Sequence, residues 1–376
     1  MTTSVKTDIP FLDLQAQYAS IRREIGPAVE GVLASQQFVL GKQGDALERE
    51  LAAYCDARHG VGLANGTDAL MMSLAASGIG AGDEVIIPAF TFVATATAVV
   101  RVGARPVFAD VVPETFNLDP AQIEARRTPR TKAVIPVDLY GLPAEMDTIG
   151  EIAARYRLIV IEDAAQAIGA RYRGRRAGSF GAAGCISFYP TKNLGAYGDA
   201  GMVVTNLEEL AAHLKRLRDH GQASRYMAVE AGWNSRLDEL QAAILRVKLA
   251  HLDAWTEARQ KHARRYAEAL AGLPGLIPPS APEYTEHVYH LYTVRIEGGA
   301  TRRDRVKQKL SEAGIATAVY YPTPLHLQPV FAGHSLRRGT LPHAERAAEE
   351  VLSLPLYPEL TADQIERVAE ALKTAL

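Results

Sequence analysis

Leu158-Ile159-Val160-Ile161-Glu162-Asp163-Ala164-Ala165-Gln166 is a continuous apolar run that ends abruptly in two carboxylates. A run of this length, following an amphipathic stretch at 148–156, reads as a strand buried on both faces, as in parallel sheets. Working outward, similar runs recur at 61–64, 84–88, 106–110, 132–137, 185–188 and 202–205. Amphipathic stretches such as 69–76 lie between them, with Gly or Pro at the joints. The alternation predicts an α/β domain on a mostly parallel, seven-stranded sheet. Ligands of such sheets bind beyond the carboxyl ends of the strands, so the residues directly after each run carry the functional argument.

The texture changes after Asn234. Residues 235–270 contain no Gly or Pro, and Leu237, Leu240, Ile244 and Val247 form an apolar stripe. One long helix is predicted there. Beyond a Pro/Gly-rich break at 272–282, the pattern predicts strands at 289–296 and 316–321, with helices at 303–313, 343–352 and 362–375. This is a second, smaller α/β unit. We expect a large domain over 1–248, including an N-terminal helical segment, and a small C-terminal domain over 249–376.

The chain has 376 residues, 48% of them hydrophobic and 22% charged, enough for two such units. Its formal net charge of −2 gives no general attraction to nucleic acid or an anionic membrane. Two cysteines exclude a disulfide scaffold, and the ten histidines show no metal-ligand spacing on a common helix. No metal site is expected. No apolar stretch reads as a signal peptide or a membrane span, so the expected location is the cytoplasm.

Three stretches carry chemistry. Asn65-Gly66-Thr67-Asp68-Ala69-Leu70 follows the first strand and opens a helix. Free N–H groups and the helix dipole at such a start favour a phosphate, although a capped turn reads the same way. Asp163 follows a buried strand, where its desolvation demands a partner; it reads either as the partner of a cationic ligand group or as a helix cap. Gln166 lies three residues on. Ser187-Phe188-Tyr189-Pro190-Thr191-Lys192-Asn193-Leu194-Gly195 delivers one lysine into apolar, glycine-rich surroundings. Most lysines are solvated, but one that is partly desolvated has a lowered pKa and can condense with a carbonyl. A phosphate site, an acid and an amine together match one cofactor, pyridoxal 5′-phosphate. The aspartate keeps its ring nitrogen protonated, and the lysine holds its aldehyde as a Schiff base.

These motifs, together with Phe11-Leu12-Asp13-Leu14 and Leu354-Pro355-Leu356-Tyr357-Pro358, make the sequence resemble the DegT/DnrJ/EryC1/StrS sugar aminotransferases nearly end to end. The resemblance implies the pyridoxal-phosphate-dependent transferase fold type I, like aspartate aminotransferase. It implies Lys192 as the Schiff-base lysine and proton shuttle. Asp163 would face the pyridine nitrogen and Gln166 the ring hydroxyl, with Gly66, Thr67 and Ser187 at the phosphate. Phe92 matches the aromatic that stacks on the ring; without the motif it reads as a core residue. Asn234 matches a residue reaching the phosphate from a neighbouring subunit, which implies a homodimer with shared active sites.

The resemblance also bears on substrate. Gly198-Asp199-Ala200-Gly201 resembles the branch that aminates C-3 ketones of nucleotide sugars, where C-4 enzymes more often carry Gly-Glu-Gly-Gly. Two acceptors follow: a dTDP-3-keto-6-deoxyhexose or a UDP-2-acetamido-3-keto-glucuronate. Enzymes acting on the glucuronate often have His at the position of Tyr320. The stretch 320–328 resembles a substrate-facing loop, making Tyr320, Tyr321 and His326 candidate substrate residues. Arg236 is a candidate partner for a carboxylate of the sugar or of the L-glutamate donor, or a structural ion pair. The basic run 171–176 is either a solvated loop or lies near the nucleotide diphosphate. Rival readings are a sugar dehydratase, disfavoured by the presence of Lys192, a C-4 keto-sugar or carbocycle aminotransferase, and a silent cofactor-binding regulatory protein.

Overall fold

In the computed structural model, residues 8–279, 281–334 and 336–376 are described. The first seven residues, part of the segment read as lacking a signal peptide, lie outside them. Seven strands form the central sheet: β1 (His59–Leu63), β2 (Glu84–Pro88), β3 (Arg105–Ala109), β4 (Thr131–Val134), β5 (Ile159–Asp163), β6 (Ala183–Ser187) and β7 (Gly201–Thr205). Their order is β1-β7-β6-β5-β4-β2-β3. Only β7 runs against its two neighbours, so the sheet is mostly parallel, as expected. Every residue of β2 and β7 is buried, which explains their unbroken apolar runs.

The crossover helices begin where the sequence supplies caps. Asn65 accepts the Asp68 N–H at 2.8 Å and starts helix Gly66–Ala76, which packs on β6 and β7. Helix Val93–Arg101 follows β2, and Met146–Tyr156 precedes β5.

A second sheet, β8 (Leu276–Ile277), β9 (Tyr292–Ile296) and β10 (Val351–Leu354), is antiparallel throughout, in the order β8-β9-β10. It shares a core with helices Leu252–Ala269, Gly299–Glu312 and Ala362–Ala375 through Tyr266, Tyr292, Leu310, Leu352 and Val368. Ile9 belongs to this core as well, and pairs with Ile315.

Three elements differ from the sequence expectation. The long helix is two, Glu239–Leu249 and Leu252–Ala269. Leu245 packs with Leu47 and Phe188, whereas Ala263 and Tyr266 pack in the core of the second sheet. One straight helix cannot serve both cores. Ala250 (φ −63°) stays right-handed and His251 N–H donates to the Lys248 carbonyl, a three-residue turn that needs neither Gly nor Pro. Residues 316–321 form no strand. Ala318 bridges Ser353, but the Tyr320 carbonyl is taken by the Tyr140 hydroxyl, which ends the ladder. Finally, the helix expected to run to 352 stops at Glu350, and the four apolar residues after it form β10 against β9.

Candidate active site

A cavity of about 670 Å³ opens at the carboxyl ends of β1, β2, β5 and β6. It is where a largely parallel sheet places its ligand. Gly66, Thr67, Phe92, Asp163, Gln166, Ser187 and Lys192 all line it, delivered by four different strand ends; Tyr320 and Tyr321 complete it from the loop after Ile315.

The helix start packs directly on β6. A Cβ on Gly66 would stand 2.7 Å from the Ser187 Cβ, so only glycine lets the first turn approach that closely. The first N–H groups of a helix have no partner within it, which leaves those of Gly66 and Thr67 beside the Ser187 hydroxyl as an anion cradle. Asp68 also lines the cavity, and its carboxylate accepts the Ser235 hydroxyl at 2.7 Å.

Asp163 is 5% exposed. Burial raises its pKa; the Thr95 hydroxyl at 2.8 Å, the Ala165 N–H at 3.3 Å and the charge of Lys192 all act to lower it. A buried carboxylate this modestly compensated is suited to a further cation. Behind it, Asp138 and Glu162 are fully buried and interact. Glu162 accepts the Gly178 and Phe180 N–H groups, while desolvation and Glu162 push the Asp138 carboxyl well up.

Lys192 has its pKa pulled down to about 8, by burial first and against the charge of Asp163. Its neighbour Asn193 donates to the Val288 carbonyl at 3.2 Å and lies 3.3 Å from His290 Nδ1. His290 lines the same cavity, and burial and Lys192 hold it neutral. Gln166 is fixed at both ends: it accepts the Tyr140 N–H at 2.7 Å and donates to the Tyr321 hydroxyl at 3.2 Å. Phe92 is 54% exposed at the cavity, with its ring centroid 5.9 Å from that of Tyr321.

A sequence profile of the DegT/DnrJ/EryC1/StrS aminotransferase family matches residues 19–373. The chain belongs to this family. A protein named pleiotropic regulatory protein from Geobacillus stearothermophilus is 52% identical over 96% of this chain and 98% of its own. A UDP-N-acetyl-3-dehydro-α-D-glucosamine 3-aminotransferase from Acidithiobacillus ferrooxidans is 50% identical, covering 98% of both chains. Among solved structures, DesV of S. venezuelae superposes with a TM-score of 0.95 at 47% identity over 98% of both chains. NtdA of Bacillus subtilis, solved with bound cofactor PMP, gives 0.91 at 35% identity over 100% of this chain and 86% of its own. The family, fold and aminotransferase class expected from the sequence are those found.

Three sequence candidates are not among the residues lining the family's cavity here. Asn234 is exposed and bridges Asp219. Arg236 is paired with Asp219 at 2.9 Å, the structural alternative. His326 is 3% exposed, with Nε2 on Glu345 at 3.1 Å. The basic run 171–176 forms a small hairpin whose arginines bond locally: Arg173 pairs with Asp147, Arg175 donates to the Ser179 carbonyl and Arg176 to the Gly169 carbonyl. Sequence reading missed Thr95, His290 and Tyr140. Thr95 stands three residues after Phe92, one turn into the same helix, and that spacing was a usable signal; nothing local marked the other two.

Proposed function

We propose that this protein is a pyridoxal-phosphate-dependent aminotransferase moving an amino group from L-glutamate to the C-3 ketone of a nucleotide-linked sugar. One observation carries it: a helix-start anion cradle, a buried aspartate and a desolvated lysine surround one cavity. Relatives named as 3-aminotransferases of UDP- and dTDP-linked sugars support the acceptor class. Bound, the cofactor supplies an electron sink for the carbon that carries the amino group. Gly66, Thr67 and Ser187 hold its phosphate. Asp163 faces the ring nitrogen, and the ion pair keeps a proton there. Gln166 reaches the ring hydroxyl and Phe92 covers the ring face. Lys192, its pKa drawn down to about 8, would hold the cofactor's aldehyde and would be the group that accepts the proton of the donor carbon.

A homodimer belongs to the same reading. The hairpin at 222–228 leaves Tyr226 and Met227 84% and 61% exposed, with Val229 63% exposed just after it. Exposed apolar groups so close together suit a subunit contact. Asn234, a few residues on, then reaches the partner's phosphate site. The helix break at 250–251 supports a large unit over 1–248 and a small one over 249–376. Among the described residues no helix is long and apolar enough to cross a membrane; we place the enzyme in the cytoplasm.

The test is the absorbance of the purified protein before and after L-glutamate. A cofactor band that shifts with glutamate and returns only with one keto-sugar nucleotide is expected; the dTDP-linked 3-keto-6-deoxyhexose and the UDP-linked 3-keto sugar are the two acceptors to compare. The name of the Geobacillus relative favours a second reading, cofactor binding without turnover. A band that glutamate leaves unchanged would select it.

A further inference from the structure

The loop that carries Lys192 is held from behind by one face of helix Glu239–Leu249. Gln241 accepts the Tyr197 N–H at 2.9 Å, and Lys248 Nζ donates to the Gly195 carbonyl at 2.7 Å. Seven residues separate the two, so they stand on the same side two turns apart. Lys248 is 0% exposed, and its Nζ lies 4.2 Å from the centroid of the Tyr197 ring. Among the described residues no carboxylate forms an ion pair with it, and Glu359 acts on it only through its field. Burying an ammonium without a counter-ion costs several kcal/mol even after relaxation. Methionine or leucine would fill the space without that cost, yet everything the ammonium is seen to touch belongs to the loop.

The loop is closed tightly enough to transmit that contact. Lys192 N–H donates to the Tyr189 carbonyl and Ala196 N–H to the Phe188 carbonyl, both at 2.8 Å. A Cβ on Gly195 would stand 2.3 Å from the Pro190 carbonyl oxygen, so the turn has no slack there. Asn193 anchors the opposite side through Val288 and His290. Movement of Gly195 is therefore movement of the Lys192 backbone.

We propose that Lys248 is a positioning residue which, by gripping Gly195 and the Tyr197 ring from behind the cavity, sets where the Lys192 side chain enters it. The inference rests on the reading of Lys192 as the reacting amine. The grip explains why a buried lysine stands at the last turn before the helix break.

The experiment uses full-length Lys248→Met, which keeps the length of the side chain and removes the donor and the charge. Four properties are measured: thermal unfolding, amide hydrogen exchange over 193–199 with and without cofactor, the rate at which added pyridoxal phosphate develops its bound absorbance, and steady-state transamination. We expect an unfolding midpoint no lower than that of the parent, because an unpaired buried charge has been removed. Exchange at Ala196 and Tyr197 should rise at least tenfold and cofactor capture slow by about tenfold, with kcat lowered and KM for the acceptor unchanged. Parent-like exchange and capture overturn the proposal. If the variant does not fold, Gln241→Ala removes the other strut: faster exchange at Tyr197 supports the grip, and unchanged exchange overturns it. If exchange rises but neither protein captures cofactor, the grip stands and the aminotransferase reading fails.

Discussion

Two loops flank the cavity, one carrying Lys192 and the other Tyr320 and Tyr321, and they were read from sequence with different success. The loop over 187–201 links β6 to β7, so both of its ends are fixed by the central sheet. Its residues fall where strand ends put them: Ser187 at the last position of β6, Lys192 just beyond, Ala200 beside β7. The loop over 316–328 comes from the smaller unit, and distant contacts set its course. Tyr140 donates to the Tyr320 carbonyl, Gln166 to the Tyr321 hydroxyl, and Leu325 N–H to the Ala89 carbonyl. A side chain placed by its own strand can be located by counting. One placed by residues 150 or more positions away cannot.

The sharpest break of this comparison is Lys192→Ala. It removes the amine we propose to hold the cofactor and move the proton, and leaves the loop's backbone contacts in place. Loss of turnover by about 10⁴-fold or more is expected, with cooperative unfolding retained. Steady-state transamination together with thermal unfolding checks it; substantial residual turnover would mean that the reacting amine is not Lys192.

The same contrast explains how far the sequence reached. All seven sheet strands were located to within a few residues, because buried parallel strands announce themselves as apolar runs with Gly or Pro between them. Asp163 and Lys192 follow such runs directly. Tyr140 was invisible because its part is played by a backbone N–H and a hydroxyl at φ +60°, neither of which a residue pattern encodes. The failed strand at 316–321 has good β composition, but a strand needs one neighbour along its whole length, and here Ala316 meets Ile9 while Ala318 meets Ser353. Likewise β10 is four residues long, too short for periodicity to separate it from the helix before it. His326 was placed by likeness to a substrate loop; its ring instead turns inward to Glu345, whose carboxylate also gathers the Gly339 and Leu341 N–H groups.

Tyr321 tests whether the second loop matters to chemistry at all. Tyr321→Phe keeps the ring contact with Phe92 and removes the hydroxyl that receives Gln166 Nε2. One lost hydrogen bond of about 1 kcal/mol predicts a fall in kcat/KM of roughly fivefold to tenfold. A shift in the bound cofactor's absorbance should accompany it, because Gln166 then keeps only its bond from the Tyr140 N–H. His326→Ala, five positions on, should do the reverse. It leaves part of Glu345 unpaired in the interior, for a loss of about 1–3 kcal/mol in stability, while KM for the keto-sugar stays at the parent value. A raised KM with unchanged stability would return His326 to the substrate surface.

The smallest effect expected separates the loops by pH. Burial pulls Lys192 from 10.5 down to about 8, so between these values the unfolded chain holds a proton that the folded chain has lost. Lys192 therefore contributes stability to the cofactor-free protein that rises with pH across that window, since the state binding more protons is disfavoured as protons are withdrawn. Lys248, also drawn down to about 8, adds to the same rise. Buried tyrosines such as Tyr292 and Tyr321 are pushed up and act oppositely, but only above pH 10, where the unfolded chain ionises first. Burial also pushes up the Cys55 and Cys185 thiols, which act oppositely inside this window because the unfolded thiols ionise there, so denaturant unfolding between pH 8 and 9.5 reads Lys192 as the difference between parent and variant. The slope for Lys192→Met should be lower than the parent's by up to one proton, whereas His326→Ala, whose ring burial keeps neutral throughout this range, should leave the slope unchanged. Equal slopes for the parent and Lys192→Met would mean that the lysine is solvated in the free protein, and that its desolvation is brought about by the ligands instead of being built into the loop.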